Sequence, residues 1–201
     1  MPCFSFSASR VAIALILASA PLPALAASFT VSSGNTTTTA QSLTGTNTGT
    51  IESGGTLATS GSSISLGVAT GAGVVLTNNG TITSGNRAID TTSGATGILT
   101  VTNTGSITST DDGFRINGTF ASGTLVLTNS GSILAGGQGL DFDKANAATA
   151  NVTIGNSGTI QSSGSDAVRL GGGTISLTNS GTITTTSSDK RAIKFDTAAN
   201  V

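Results

Sequence analysis

The sequence has no histidine, tryptophan or tyrosine, and its single cysteine is Cys3. Without histidine, a Ser-His-Asp or Cys-His relay cannot be assembled, and the usual zinc sites lose their commonest ligands. With one cysteine there is no disulfide framework. Charged residues make up 8%, against roughly a quarter of an average globular protein. The net charge of −1 comes with no basic run, which argues against nucleic acid or an anionic membrane as a partner, since both need concentrated positive surface. Low charge does not mean disorder here. Disordered chains are depleted in apolar residues, whereas 36% of this one is hydrophobic and it holds 28 glycines among many Thr, Ser and Asn.

The first 26 residues read as an address. Arg10 precedes the apolar run Val11 to Ala20, then come Pro21, Pro23 and the small-residue pattern Ala24-Leu25-Ala26. That order predicts a secretory signal peptide over 1–26, cleaved after Ala26. The run is broken by proline well short of the ~20 apolar residues that cross a bilayer. Cleavage removes Cys3 and leaves a mature chain without a thiol.

The pentapeptide Asn-x-Gly-x-Ile occurs six times, beginning at Asn47, Asn78, Asn103, Asn129, Asn156 and Asn179. The intervals of 31, 25, 26, 27 and 23 residues suit one coil of a solenoid with variable loops. Upstream of each Asn from Asn78 on, aliphatic residues stand four and two places earlier, as in Leu99 and Val101 or Leu125 and Leu127. This period of two marks a strand with one buried face. Ile51, Ile82, Ile107, Ile133, Ile160 and Ile183 supply an inward side chain to a second strand. A third follows a polar loop, at Ile89, Phe114, Leu140, Val168 and Ile193. No window keeps apolar residues three and four apart, so helix is excluded.

The pattern therefore predicts an all-β fold: a parallel β-helix, or β-solenoid, with three short strands per coil and about five to six coils. Asn tolerates the left-handed conformation and Gly favours it, which predicts a sharp Asn-x-Gly turn between the first two strands. Stacked every ~4.8 Å, the asparagines would also pass amide hydrogen bonds from coil to coil. Residues 27–46 match the template poorly, keeping Leu43 but setting Gly45 where other coils bury an aliphatic residue, so they are expected to cap the amino-terminal end. Residues 47–201 would form the repeats, open at the carboxyl end, where an unpaired edge invites self-association. In the third strands the outward residues are Asp90, Arg115, Asp141, Arg169 and Lys194 in turn. In register, they form a charge ladder in which three of four neighbouring pairs are opposite in sign and Asp196 relieves the fourth.

The segments LTNNGTI, VTNTGSI, LTNSGSI and LTNSGTI behind a secretory leader resemble the passenger region of Gram-negative autotransporters. The resemblance covers 28–201. It implies a right-handed β-helix, export to the bacterial cell surface or medium, and an adhesive or structural role toward host surfaces, glycans or sister cells. It also implies a translocating outer-membrane barrel, which this sequence does not contain: barrels carry aromatic girdles, and Trp and Tyr are absent. The chain thus resembles an amino-terminal piece of such a protein.

Parallel β-helices also host polysaccharide lyases and hydrolases, which need paired carboxylates or an acidic calcium cluster. The candidates are Asp111 with Asp112, which reads as a solvated loop, and Asp141 with Asp143, which reads as the outward end of a strand. Gly171-Gly172-Gly173 has no following Lys and reads as a turn rather than a phosphate loop. Thr81-Ile82-Thr83 and Thr182-Ile183-Thr184 resemble the Thr-x-Thr face of ice-binding solenoids, but Glu52, Leu134 and Gln161 interrupt a flat threonine array. The reading is a non-enzymatic protein, with no catalytic, metal or cofactor-binding residue assigned and no cofactor; a carbohydrate-active β-helix enzyme is the alternative.

Overall fold

The computed structural model describes residues 27–67, 71–92 and 94–196; the expected signal peptide lies outside them. Every regular element among the described residues is a strand, and the strands fall into three parallel sheets of seven. Each strand pairs with the one three further along the chain, so the polypeptide winds through about six turns with three short strands per coil.

The alternation seen in the sequence explains the faces. In the first sheet Val74, Leu99, Leu125, Val152 and Ile175 form one inward column, and Leu76, Val101, Leu127, Ile154 and Leu177 another. In the second sheet Leu57, Ile82, Ile107, Ile133, Ile160 and Ile183 align. In the third, Ile64, Ile89, Phe114, Leu140, Val168 and Ile193 do so. Except for the exposed Ile193, these columns fill one continuous core along the axis. Each fully buried aliphatic contributes about 1.5–3 kcal/mol of transfer free energy. Phe114 and Phe142 meet edge to face at 5.0 Å.

The first two coils differ from the sequence reading. Asn47 does not align with Asn78; Ile51 occupies that place, with Gly49 opposite Leu76. Ile51 therefore belongs to the first sheet, and Leu57 takes the second-sheet position assigned to it. Residues 27–46 form a rung of their own: Phe29–Val31, Thr36–Thr37 and Gln41–Thr44 pair with the next coil in all three sheets. Leu43 lies in the third sheet, and Gly45 turns the chain at a φ of 65°. Sterics explain the unusual filling. A Cβ on Gly49 would stand 2.6 Å from the Phe29 ring, so the aromatic of one rung fills the space that Leu76 fills two rungs later.

The Asn-x-Gly turn also works differently from the expectation. No residue other than glycine has positive φ among the described residues, and Gly80, Gly105, Gly131, Gly158 and Gly181 do not have it either. These glycines are required by close approach. A Cβ on Gly131 would lie 2.0 Å from the carbonyl oxygen of Gly105, and one on Gly158 equally close to that of Gly131. The same carbonyls accept the N–H of the residue after the next glycine, as Ser132 N–H donates to Gly105 at 2.9 Å. The asparagines form a buried ladder. Nδ2 of Asn78, Asn103, Asn129 and Asn156 donates to Oδ1 of the next at 2.7, 2.7, 2.7 and 2.6 Å. Each also donates to a main-chain carbonyl of the following rung, at 3.1 to 3.3 Å.

Candidate functional site

Chemistry is concentrated on one side of the solenoid. Of the charged residues in the sequence, all but Arg10 and Glu52 lie on the third sheet or on the segments that enter and leave it. The third strands are Ile89–Thr91, Phe114–Arg115, Leu140–Phe142, Val168–Leu170 and Ile193–Phe195. With Ile89, Phe114, Leu140, Val168 and Ile193 turned to the core, the next residue of each points outward. Asp90, Arg115, Asp141, Arg169 and Lys194 stand in one column in that order, as the sequence predicts.

The column is braced from both sides. Arg115 lies 3.7 Å from Asp141 below it, and Arg169 lies 3.7 Å from Asp141 above it. Asp90 is bound by Arg87, three residues earlier, at 3.2 Å rather than by Arg115. Arg87 also reaches Asp111 at 3.4 Å and Asp112 at 3.6 Å, and Arg115 reaches Asp112 at 3.7 Å. On the other flank Arg169 contacts Asp143 at 3.3 Å, and Lys144 contacts it at 2.8 Å. The like-charged neighbours Arg169 and Lys194 share Asp196, whose carboxylate accepts from Arg169 Nε and lies 2.7 Å from Lys194 Nζ.

The acidic candidates are not the solvated groups that the sequence suggests. Asp111 is half-buried, and Asp112 is buried and accepts the Gln138 N–H at 2.9 Å. Asp141 is 3% exposed, because the arginine arms of both neighbouring rungs lie over it and Asp143 and Asp112 crowd its flanks. Burial, reinforced by those two carboxylates and opposed by Arg169 and Arg115, pushes its carboxyl up to about 6. Burial likewise raises Asp112 against the Gln138 N–H, and Asp90 against Arg87. For Asp196 burial is outweighed by hydrogen bonds from Lys194 and Arg169, which hold it below the ordinary carboxylate range. One oxygen of Asp141 and one of Asp143 are buried without a hydrogen bond.

A carboxyl near 6 has the proton affinity of a general acid, but acid–base work also needs a substrate beside it. The recess of about 270 Å3 at the corner between the second and third sheets and the one of about 210 Å3 on the first sheet both lie away from Asp141. Among the described residues, no three acidic, histidine or cysteine side chains converge as a metal site. Gly171 and Gly173 are turn residues whose N–H groups donate to Phe142 and Ala145.

Sequence reasoning missed the second charged column. Arg87, Asp112, Asp166 and Arg191 each stand three residues before a ladder residue, and this repeated spacing was the available signal. Asp166 accepts the Arg191 N–H at 2.8 Å, as Asp112 accepts that of Gln138.

The other two faces carry hydroxyls instead of charge. Thr36, Thr56, Thr81, Ser106, Ser132, Thr159 and Thr182 form an unbroken column along the second sheet. Thr30, Thr50, Thr77, Thr102, Thr128 and Thr178 form one along the first, interrupted by Gly155. Compared with protein-family models, curated proteins and solved structures, the chain matches none.

Proposed function

We propose that the chain is a non-catalytic structural or adhesive module, exported to the bacterial cell surface as the amino-terminal passenger part of an autotransporter. The observation that carries this reading is the division of the surface. Apart from Glu52, the charge of the described residues lies on one face and is mostly paired there, while hydroxyl columns run along the other two. A surface of that kind presents a long, repetitive, neutral array, suited to many weak polar contacts with glycans, host surfaces or sister cells rather than to turnover of one substrate. The ion pairs serve the stack: exposed pairs contribute about 1 kcal/mol or less each, yet like charges placed opposite each other oppose misalignment.

Cells expressing the gene with its native downstream region test the proposal. Surface labelling should reach the solenoid, and amino-terminal sequencing should begin at Ala27. Retention of residues 1–26 on the mature protein, or confinement to the cytoplasm, would refute export. The enzymatic alternative predicts turnover of polysaccharide that Asp141→Asn abolishes; the proposal predicts none above blank on pectin or host glycans.

A further inference from the structure

We propose that the recess centred on Leu134 and Gln161 is a binding subsite for one neutral sugar ring. The proposal rests on the adhesive reading and assigns it a place. Along the second sheet the outward column after the hydroxyl one runs Ala58, Thr83, Thr108, Leu134, Gln161 and Thr184. Leu134 and Gln161, which with Ala58 break the short threonine pattern there, are neighbours in adjacent rungs.

The adjoining inward column departs from its own pattern at the same rung. In the next column Ser84, Ser109 and Ser162 donate their hydroxyls to turn carbonyls, at 2.7, 2.9 and 2.6 Å. Ala135 replaces them at one rung, and Gly136 follows. Gly136 can carry no side chain, since a Cβ would lie 2.1 Å from the Thr110 carbonyl oxygen. The corner beside the exposed Leu134 therefore carries no side chain at Gly136. Here lies a recess of about 270 Å3 lined by Thr108, Leu134, Ala135, Gly136, Gln161 and Ser163, among others.

The lining selects the ligand. No charged side chain borders the recess, so an ionic group would find no counter-charge. The strand Ser132–Ala135 is paired on both edges, so a peptide could not add to it as an extra strand. The recess exposes more apolar than polar surface, with Leu134 beside the Gln161 amide and the Thr108 and Ser163 hydroxyls, and at about 270 Å3 it is too small for a lipid chain. What remains is a ligand with one apolar face and a rim of hydroxyls. Leu134 is 37% exposed and offers methyls to the C–H face of a pyranose. The Gln161 amide, which makes no hydrogen bond among the described residues, both donates to and accepts from vicinal hydroxyls. The volume lies below the ~300 Å3 at which drug-sized sites begin, so it holds a single ring.

The test is an NMR titration of the mature chain with methyl β-galactopyranoside, methyl β-glucopyranoside and methyl α-mannopyranoside. At least one should move the Gln161 side-chain amide and the Leu134 methyls saturably, with a Kd on the order of 1 mM, the weak end of specific affinity. The double variant Leu134→Thr, Gln161→Thr restores the threonine column. It should keep the native circular dichroism spectrum and bind at least tenfold more weakly. No saturable shift with any of the three, shifts confined to other residues, or undiminished binding by the variant would overturn the subsite. Adherence of cells displaying the native chain is scored separately, so adhesion and the subsite can fail independently.

Discussion

Replacing Asn129 by Ala removes the middle of the buried ladder. Asn129 is fully buried. Its Oδ1 accepts from Asn103 at 2.7 Å, and its Nδ2 donates to Asn156 Oδ1 at 2.7 Å and to the Thr159 carbonyl at 3.2 Å. Each lost bond is worth about 1 kcal/mol net, and the Asn156 oxygen left buried without its donor adds about 1–3 kcal/mol. The expected cost is then about 4–6 kcal/mol. At a urea m-value of about 2 kcal/mol/M, the midpoint falls by about 2–3 M. With neither Trp nor Tyr in the chain, far-ultraviolet circular dichroism is the probe. Asn179 is the internal control, because it is exposed and accepts from Asn156 alone along the ladder. Asn179→Ala should cost about 1 kcal/mol or less. The double variant Asn129→Ala, Asn156→Ala should cost less than the sum of the singles, since they share a bond. Equal effects of Asn129→Ala and Asn179→Ala, or a cost below about 1 kcal/mol for the former, would refute the ladder as a source of stability.

Two glycines of one rung separate close approach from conformational freedom. Gly158→Ala, aimed at the Gly131 carbonyl at 2.0 Å, should cost about 4 kcal/mol or more, whereas Gly155→Ala, whose nearest neighbour stands at 4.0 Å, should be close to neutral by urea denaturation. The pH dependence follows from Asp141: its carboxyl near 6, above the ordinary 3.8, means that the folded state binds the proton more tightly, so this group favours folding increasingly as pH falls from 7 to about 4, by about 3 kcal/mol in all. Asp90 and Asp112 act in the same direction and Asp196 in the opposite one; Asp141→Asn should flatten the profile, and a variant whose stability keeps the same slope would exclude Asp141 as its source. In the last described rung Ile193 and Phe195 are 36% and 46% exposed, so amides of Ile193–Phe195 should exchange with deuterium faster than those of Thr124–Asn129, and equal protection would contradict fraying at that end.

The features legible in the sequence are those enforced by alternation. Leu125 and Leu127 point inward because Val126 between them does not, and the same logic placed Arg115 and Asp141 on one outward column. The first two coils were illegible for a specific reason. Asn47-Thr48-Gly49-Thr50-Ile51 has the repeat's letters by coincidence, while the true counterpart of Asn78 is Ile51, an aliphatic residue in a position otherwise held by Asn. The interval of 31 residues, longer than the others, was the trace of that displacement. The turn after Ile51 is also longer and passes through Gly54 at a φ of 81°, a device absent from the Asn-x-Gly turns. The burial of Asp141 was hidden for another reason. Strand periodicity says which way a side chain leaves the sheet, but whether Arg115 and Arg169 then fold over it depends on contacts between rungs 26 to 28 residues apart.

The two ladders solve different halves of the alignment problem. A slip of one residue within a strand would turn every core side chain outward, and the asparagine and glycine columns oppose it further. Displaced asparagines would leave buried amides unpaired, and displaced glycines would put a Cβ against a carbonyl. Yet Asn103, Asn129 and Asn156 are interchangeable, so this ladder cannot tell one rung from the next. The charges can. Asp90, Arg115, Asp141, Arg169 and Lys194 read in a sequence of signs that a shift by one rung would convert into like-charged contacts at several positions. Each such contact is weak where exposed but costlier around a buried carboxylate such as Asp141. A solenoid built from near-identical coils thus acquires its unique stacking from the face where its coils differ most, and the surfaces left uncharged remain free to make contacts outside the molecule.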